Sequence, residues 1–156
     1  MLEMMAVVAV IAILGALALP SYTGRIVRQQ IEASYPLADV AKKNIGAAWG
    51  SLQKLPADNA AAGLPAADKM VNNFVSALTV QDGVINITFG NNAHSAIRGK
   101  VLTMRPAVIE DAPIVPVAWV CAKALGPDKM VIKGNDQTTI PDTYLPLDCR
   151  LIKHSP

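Results

Sequence analysis

The sequence predicts an α+β protein: a long N-terminal α-helix packed on a four-stranded antiparallel β-sheet, followed by a disulfide-closed C-terminal loop. Three observations lead there. Residues 1–19 are apolar apart from Glu3, and an amphipathic pattern at helical spacing continues past Pro20. Residues 74–122 then hold four short β-prone runs separated by turn residues. Finally, the two cysteines, Cys121 and Cys149, flank a stretch crowded with Gly, Pro, Asn and Asp that cannot build a core of its own.

The apolar run comes first. A helix needs about 20 apolar residues to cross roughly 30 Å of hydrocarbon, and Met4–Leu19 is free of charge. A carboxylate at the end of such a span is costly unless paired or able to reach the interface. Glu3 therefore reads either as a snorkelling end residue or as the partner of a positive charge on another copy of the chain. A cleaved secretory signal is disfavoured, because no basic residue precedes the run and the run is too long. The flanking cations, Arg25 and Arg28, lie on the C-terminal side, which by the positive-inside rule would hold the rest in the cytoplasm. Two cysteines suggest an oxidising compartment instead. A basic leader removed from a longer precursor reconciles the two, so the chain is expected to lack its original N-terminus.

Beyond Pro20, Ile26, Val27, Ile31, Leu37, Val40, Ala41, Ile45 and Ala48 recur at roughly helical spacing, with Arg25, Arg28, Gln29, Glu32, Lys42 and Lys43 on other faces. A single helix of about 50 residues follows. Pro20 should kink it and Pro36 bend it again; Gly15 and Gly24 weaken it near the first kink. Gly50, Pro56, Asp58, Asn59, Gly63 and Pro65 then mark a surface loop. The strand runs are Phe74–Val80, Val84–Phe89, Lys100–Met104 and Val115–Ala122, with Asp82-Gly83 as a hairpin turn and Pro106 closing the third. One sheet face should cover the amphipathic part of the helix. The expected organisation is 1–22 membrane or filament-core helix, 23–50 amphipathic helix, 51–72 loop, 73–122 sheet, 121–149 disulfide-bounded loop and 150–156 tail.

A Cys121–Cys149 bridge would contribute about 3.5 kcal/mol on the loop-entropy account; two free buried cysteines are the alternative. Chemistry-bearing patterns are otherwise sparse. A net charge of +2 supports no strong claim on nucleic acid. Two cysteines and two histidines, widely spread, give no metal-ligand spacing. No nucleophile–base set or phosphate loop stands out, so neither an enzyme nor a cofactor is expected. Arg150, Lys153 and His154 could form a weak basic tip. Trp49 and Trp119 read as core residues, Tyr22 and Tyr35 as interface or membrane-boundary aromatics, and His94 as an exposed turn residue. Asn86-Ile87-Thr88 matches a glycosylation sequon but falls in a strand.

The N-terminal run Leu2-Glu3-Met4-Met5-Ala6 through Leu19-Pro20-Ser21-Tyr22 resembles that of type IV pilins: an acid near the start, an apolar run, then Leu-Pro-x-Tyr. The likeness continues through Ala62-Gly63-Leu64-Pro65, Ile97-Arg98-Gly99-Lys100 and Val117-Ala118-Trp119-Val120-Cys121. It ends in Ile140-Pro141-Asp142-Thr143-Tyr144-Leu145-Pro146-Leu147-Asp148-Cys149-Arg150, similar to Neisseria-like major pilins of the type IVa class.

That resemblance implies a structural subunit that polymerises through its N-terminal helix into a retractable extracellular filament for twitching motility and adhesion, with DNA uptake an option that no residue pattern indicates. It implies a prepilin peptidase that also N-methylates the new terminus, and inner-membrane machinery driven by an ATP-consuming motor. A host or abiotic surface would be the target. Before assembly the helix would sit in the inner membrane with the head in the periplasm. Glu3 would neutralise the N-terminal amine of a neighbouring subunit, Gly15 and Pro20 would mark the kink, and small residues such as Ala6, Ala9 and Ala12 would let helices approach closely. Two mature residues would precede Met1. A minor or DNA-binding pilin and a type II secretion pseudopilin share the N-terminal motif, although the pseudopilin usually lacks the long disulfide-closed loop. An electron-conducting filament would want closely spaced aromatics; the chain has only seven, none before Tyr22.

Overall fold

The computed structural model describes residues 1–151, the side chains of residues 19–21 excepted. Lys153 and His154 of the expected basic tip therefore lie outside the described residues. The long helix is present as α1 (Leu2–Glu32) and α2 (Tyr35–Leu52), separated only by a turn at Ala33 and Ser34. Pro36 causes the interruption. Lacking an N–H, it cannot serve the carbonyl of Glu32, and its ring favours the first turn of a new helix over the interior of an old one. The disturbed polar groups find other partners: the Ala33 carbonyl accepts from Asn72 Nδ2 at 3.1 Å, and Ser34 Oγ donates to the Ile31 carbonyl at 2.6 Å.

The interruption does not change which face is buried. Val27, Ile31, Ser34, Ala38, Ala41, Ile45 and Trp49 are all buried, at steps of three and four that keep one helical stripe. This stripe covers an antiparallel sheet whose neighbours follow chain order: β1 (Val75–Gln81), β2 (Val84–Phe89), β3 (Val101–Val108) and β4 (Ala118–Cys121). Register places Leu78 opposite Ile87 and Val80 opposite Ile85. Ile85 in turn faces Met104, and Ile87 faces Leu102. All six are buried in the core beneath α2. The β1–β2 hairpin closes through Asp82 (φ 50°) and Gly83 (φ 81°). Two consecutive positive φ values give the turn whose twist matches the flanking strands.

Four differences from the sequence reading have physical causes. Strand β3 does not stop before Pro106 but runs through it to Val108. The Pro106 carbonyl accepts from the Lys133 N–H at 2.8 Å, so the residue's absent donor faces Lys133 just past the end of a fifth strand, β5 (Val131–Ile132), and beyond the last β2 pair, where it removes a bond only at the margin of the ladder. That two-residue strand is the second difference: β5 extends the four-stranded sheet by pairing with β3 beyond β2. Third, β4 begins only at Ala118, clear of Pro113 and Pro116. Fourth, His94 is half-buried rather than exposed. Its N–H donates to Gln30 Oε1 at 2.8 Å and its Nδ1 accepts from the Ala96 N–H at 3.1 Å, while Ala93 and Ile97 are fully buried beside it.

The outer sheet face is not left to solvent. The loop after β5 crosses it, with Gly134 (φ 78°) seated so closely on Val84 that a Cβ would lie 2.2 Å from that side chain. Further on, the Gln137 N–H donates to Thr103 Oγ1, which itself donates to Asn86 Oδ1 at 2.8 Å. Asn86 is thus buried with its amide oxygen in use, so the sequon lies within the sheet and not on an exposed loop.

Candidate functional site

Every residue from 1 to 18 is exposed, whereas α1 from Val27 onward joins the core. At 1.5 Å per residue, Glu3 stands about 36 Å from Val27 along the helix. The projecting segment has a window of mean hydropathy 2.5, none of it buried, and is long and apolar enough to cross a membrane. Leu2, Leu14 and Leu17 are 87%, 62% and 71% exposed. Burying one such side chain stabilises by about 1.5–3 kcal/mol, so leaving the whole run in water would cost on the order of 20 kcal/mol. A head that folds without covering this helix presents it to lipid or to other copies.

Glu3 lies in the first turn of α1, exposed, where the helix dipole favours a negative charge. Met4, Met5, Val8, Ala9 and Ala12 line a shallow apolar groove just beyond it. Small Ala9 and Ala12 form its low side, the kind of surface that allows close helix approach. A Cβ added at Gly15 would meet nothing within 4 Å. Pro20 falls within the continuous span of α1.

At the other end of the molecule Cys121 and Cys149 form the disulfide. It fastens the end of β4 to a short 3₁₀ turn at Leu147–Cys149 and so closes the irregular loop. This loop also reaches α1: Arg28 Nη2 donates to the Thr143 carbonyl at 3.0 Å. Arg150 folds back onto the same segment, with Nε on the Leu145 carbonyl at 2.8 Å and Nη2 on the Thr143 carbonyl at 3.0 Å. The Tyr35 hydroxyl lies 3.7 Å from Cys149 Sγ and, as the sulfur is oxidised, the hydroxyl is the donor. Burial, then the negative fields of Asp148 and Glu32, push the Tyr35 phenol well above its ordinary range.

Sequence reasoning placed the cysteines, the apolar helix and Glu3 but did not foresee the meeting of Arg28, Thr143 and Arg150. A contact across that sequence distance leaves no periodic signal. It also did not foresee Asn59, buried, whose Oδ1 accepts from the Val80 N–H and whose Nδ2 serves the Pro65 and Leu78 carbonyls. In sequence this residue looked like ordinary loop punctuation. Among the described residues no group of His, Cys, Asp and Glu side chains could hold a metal ion.

The model of the family described as Pilin (bacterial filament) matches residues 27–150, most of the head. Of the curated relatives, a fimbrial protein of Neisseria meningitidis serogroup B is 26% identical, over 96% of this chain and 91% of its own length. The fimbrial protein EcpC of Eikenella corrodens is 31% identical over 78% of this chain and 79% of its own. The type IV major pilin protein PilE of Neisseria gonorrhoeae is 29% identical over 96% and 91%. The chain therefore belongs to the pilin family, and it is a structural subunit of a bacterial filament rather than an enzyme.

Proposed function

We propose that this chain is the major, repeating subunit of a type IV pilus. The observation that carries the reading is the uncovered apolar helix of residues 1–18 on a head that folds independently of it. Such a helix is satisfied by a bundle of copies of itself. Head-to-tail packing of identical subunits that does not close yields a helical filament, and its core would be these helices. Near-full coverage of relatives named as major pilins favours the repeating subunit over a minor pilin or a secretion pseudopilin.

In this reading Glu3 neutralises the N-terminal amine of a neighbouring subunit, and Gly15 and Pro20 mark where α1 bends on packing. The segments 1–22 and 23–50 serve as filament core and head-bearing stalk. Before assembly the apolar helix resides in the inner membrane and the head in the periplasm, consistent with the disulfide. A prepilin peptidase matures the chain. Because lipid tails are as apolar as the helix, leaving the membrane offers little hydrophobic gain, so an ATP-driven motor is needed and assembly is reversible. Retraction then supplies twitching motility, adhesion and, with further partners, DNA uptake.

The experiment is electron microscopy of filaments sheared from the source cells, with mass spectrometry of their subunits. This chain should be the dominant component. Filaments in which it is rare or absent would assign it to a minor or accessory role.

A further inference from the structure

Arg25 and Arg28 follow the apolar helix on the side that the disulfide places outside the cytoplasm, against the usual distribution of membrane-flanking cations. The structure gives them company. Arg28 Nη2 and Arg150 Nη2 each lie 3.0 Å from the Thr143 carbonyl oxygen, so the two nitrogens are at most about 6 Å apart by geometry. Arg25 is exposed and three residues before Arg28, a neighbour on the helix surface. Two guanidiniums thus share one corner of the head, with Arg25 on the adjoining helix surface. The ion pairs among the described residues, Lys42–Asp39, Lys123–Asp142 and Lys133–Glu110, involve none of them. Arg28 Nε is buried without a hydrogen-bond partner. Of the nearby acids, Asp142 holds Lys123 and Asp148 faces Tyr35, while Glu32, one turn beyond Arg28, is its neighbour on the helix surface yet forms no ion pair with it.

Position says what anion this corner meets. Helical side chains lean toward the N-terminus, and Arg28 Nη2 sits 3.9 Å from where a Cβ on Gly24 would be, one turn back. Gly24 is five residues beyond Leu19, about 7 Å along the axis, and the headgroup layer extends roughly 5–7 Å beyond the hydrocarbon. We propose that Arg28 and Arg150, assisted by Arg25, clamp the phosphate of an anionic phospholipid and seat the head on the membrane surface before assembly. The clamp rests on the reading that residues 1–19 span the membrane at that stage. Arg150 Nε and Nη2 and Arg28 Nη2 already donate to backbone carbonyls, which fixes both guanidiniums in place, and their remaining Nη hydrogens are the donors that a phosphate, with several acceptor oxygens, would meet. Removal into the filament would break this contact and free the three cations for other partners.

The test uses the full chain in nanodiscs of phosphatidylcholine with one quarter phosphatidylglycerol, and native mass spectrometry of the lipids each ejected chain retains. Phosphatidylglycerol should be enriched about threefold over its share of the bilayer, the enrichment vanishing in R28Q/R150Q and persisting in Lys54→Gln. Arg25→Gln should lower it partially. Should R28Q/R150Q perturb the head, R28K/R150K keeps the charge while losing the fork and should show intermediate enrichment at unchanged melting temperature. Wild-type retention at the bulk lipid ratio would overturn the clamp, as would enrichment that survives every arginine variant. Equal retention of inorganic phosphate by the chain in lipid-free detergent would overturn the lipid assignment. So would a dimer abolished by R28Q/R150Q, which would give the site to a carboxylate of a second copy. Failure of the chain to enter nanodiscs at all would instead overturn the anchoring reading, and the clamp with it.

Discussion

The two ends of α1 are one helix under two opposite regimes. From Val27 onward it shows one stripe to a sheet and the other faces to water, and the stripe keeps its phase across the break at Ala33–Ser34. Before Leu19 it is apolar apart from Glu3, and every residue of it is exposed. A helix apolar all round needs an apolar surround, and here the protein itself does not provide one. The head is stabilised within the chain; the projecting segment is stabilised only by lipid or by other copies. Changes in one region should therefore leave the other's observable untouched.

The largest separation is expected at Glu3. Replacing it with Ala should abolish filaments in cells while the melting temperature of the head stays unchanged, because Glu3 is exposed about 36 Å along the helix from the first core residue, Val27. Abundant normal filaments from the Ala variant would break the comparison at its functional end, leaving the acid as a simple membrane-boundary residue.

The converse change is at the disulfide. Cys121→Ser with Cys149→Ser removes the closure of a loop with a sequence separation of 28, and should destabilise the head by about 3.5 kcal/mol. Thermal melting followed by near-ultraviolet circular dichroism should fall by roughly 10 °C, while the far-ultraviolet helical signal of the apolar segment in detergent persists beyond that transition. An unchanged melt would mean that the loop is held by its other attachments: Arg28 and Arg150 on Thr143, and the 137–139 segment on β3.

These two regions were also unequally legible in the sequence. The projecting helix could be read almost completely, since a run of apolar residues needs no partner to be recognised. The α2 stripe and the β1–β2 hairpin were legible for the same local reason: helical period in one, Asp82-Gly83 in the other. What stayed hidden depended on distant chain. Pro106 looked like a strand end because nothing local indicates that β5 takes over where β2 stops. Asn59 and Asn72 looked like loop residues, yet they satisfy the backbone of β1 and the break in the helix. His94 looked exposed because Gln30, the residue that docks its turn, lies far upstream. Turn chemistry and periodicity are encoded within a few residues; the attachment of loops to the core is not.

The finest probe of the comparison is Tyr35, which sits just past the helix break and reports only on the head. Its phenol packs beside Cys149, faces Asp148 and Glu32, and has Lys42 Nζ at 5.9 Å from its ring centroid. Burial and the two carboxylates disfavour the phenolate in the folded state, so the folded pKa lies above the unfolded value of about 10. The folded chain then holds its proton more tightly than the unfolded one. This contribution is fully present below pH ~10 and is lost as pH rises beyond it, because the unfolded state ionises first. Tyr35→Phe cannot ionise and should cost about 1 kcal/mol or less at pH 7, where only the hydroxyl contact is lost. Urea unfolding of both proteins at pH 8 and 10.5 should show wild type losing more stability than the variant over that interval. Equal losses would mean that water reaches the phenol and that the loop packs less closely on α2 than the Tyr35–Cys149 contact indicates, while leaving the projecting helix and its role untouched.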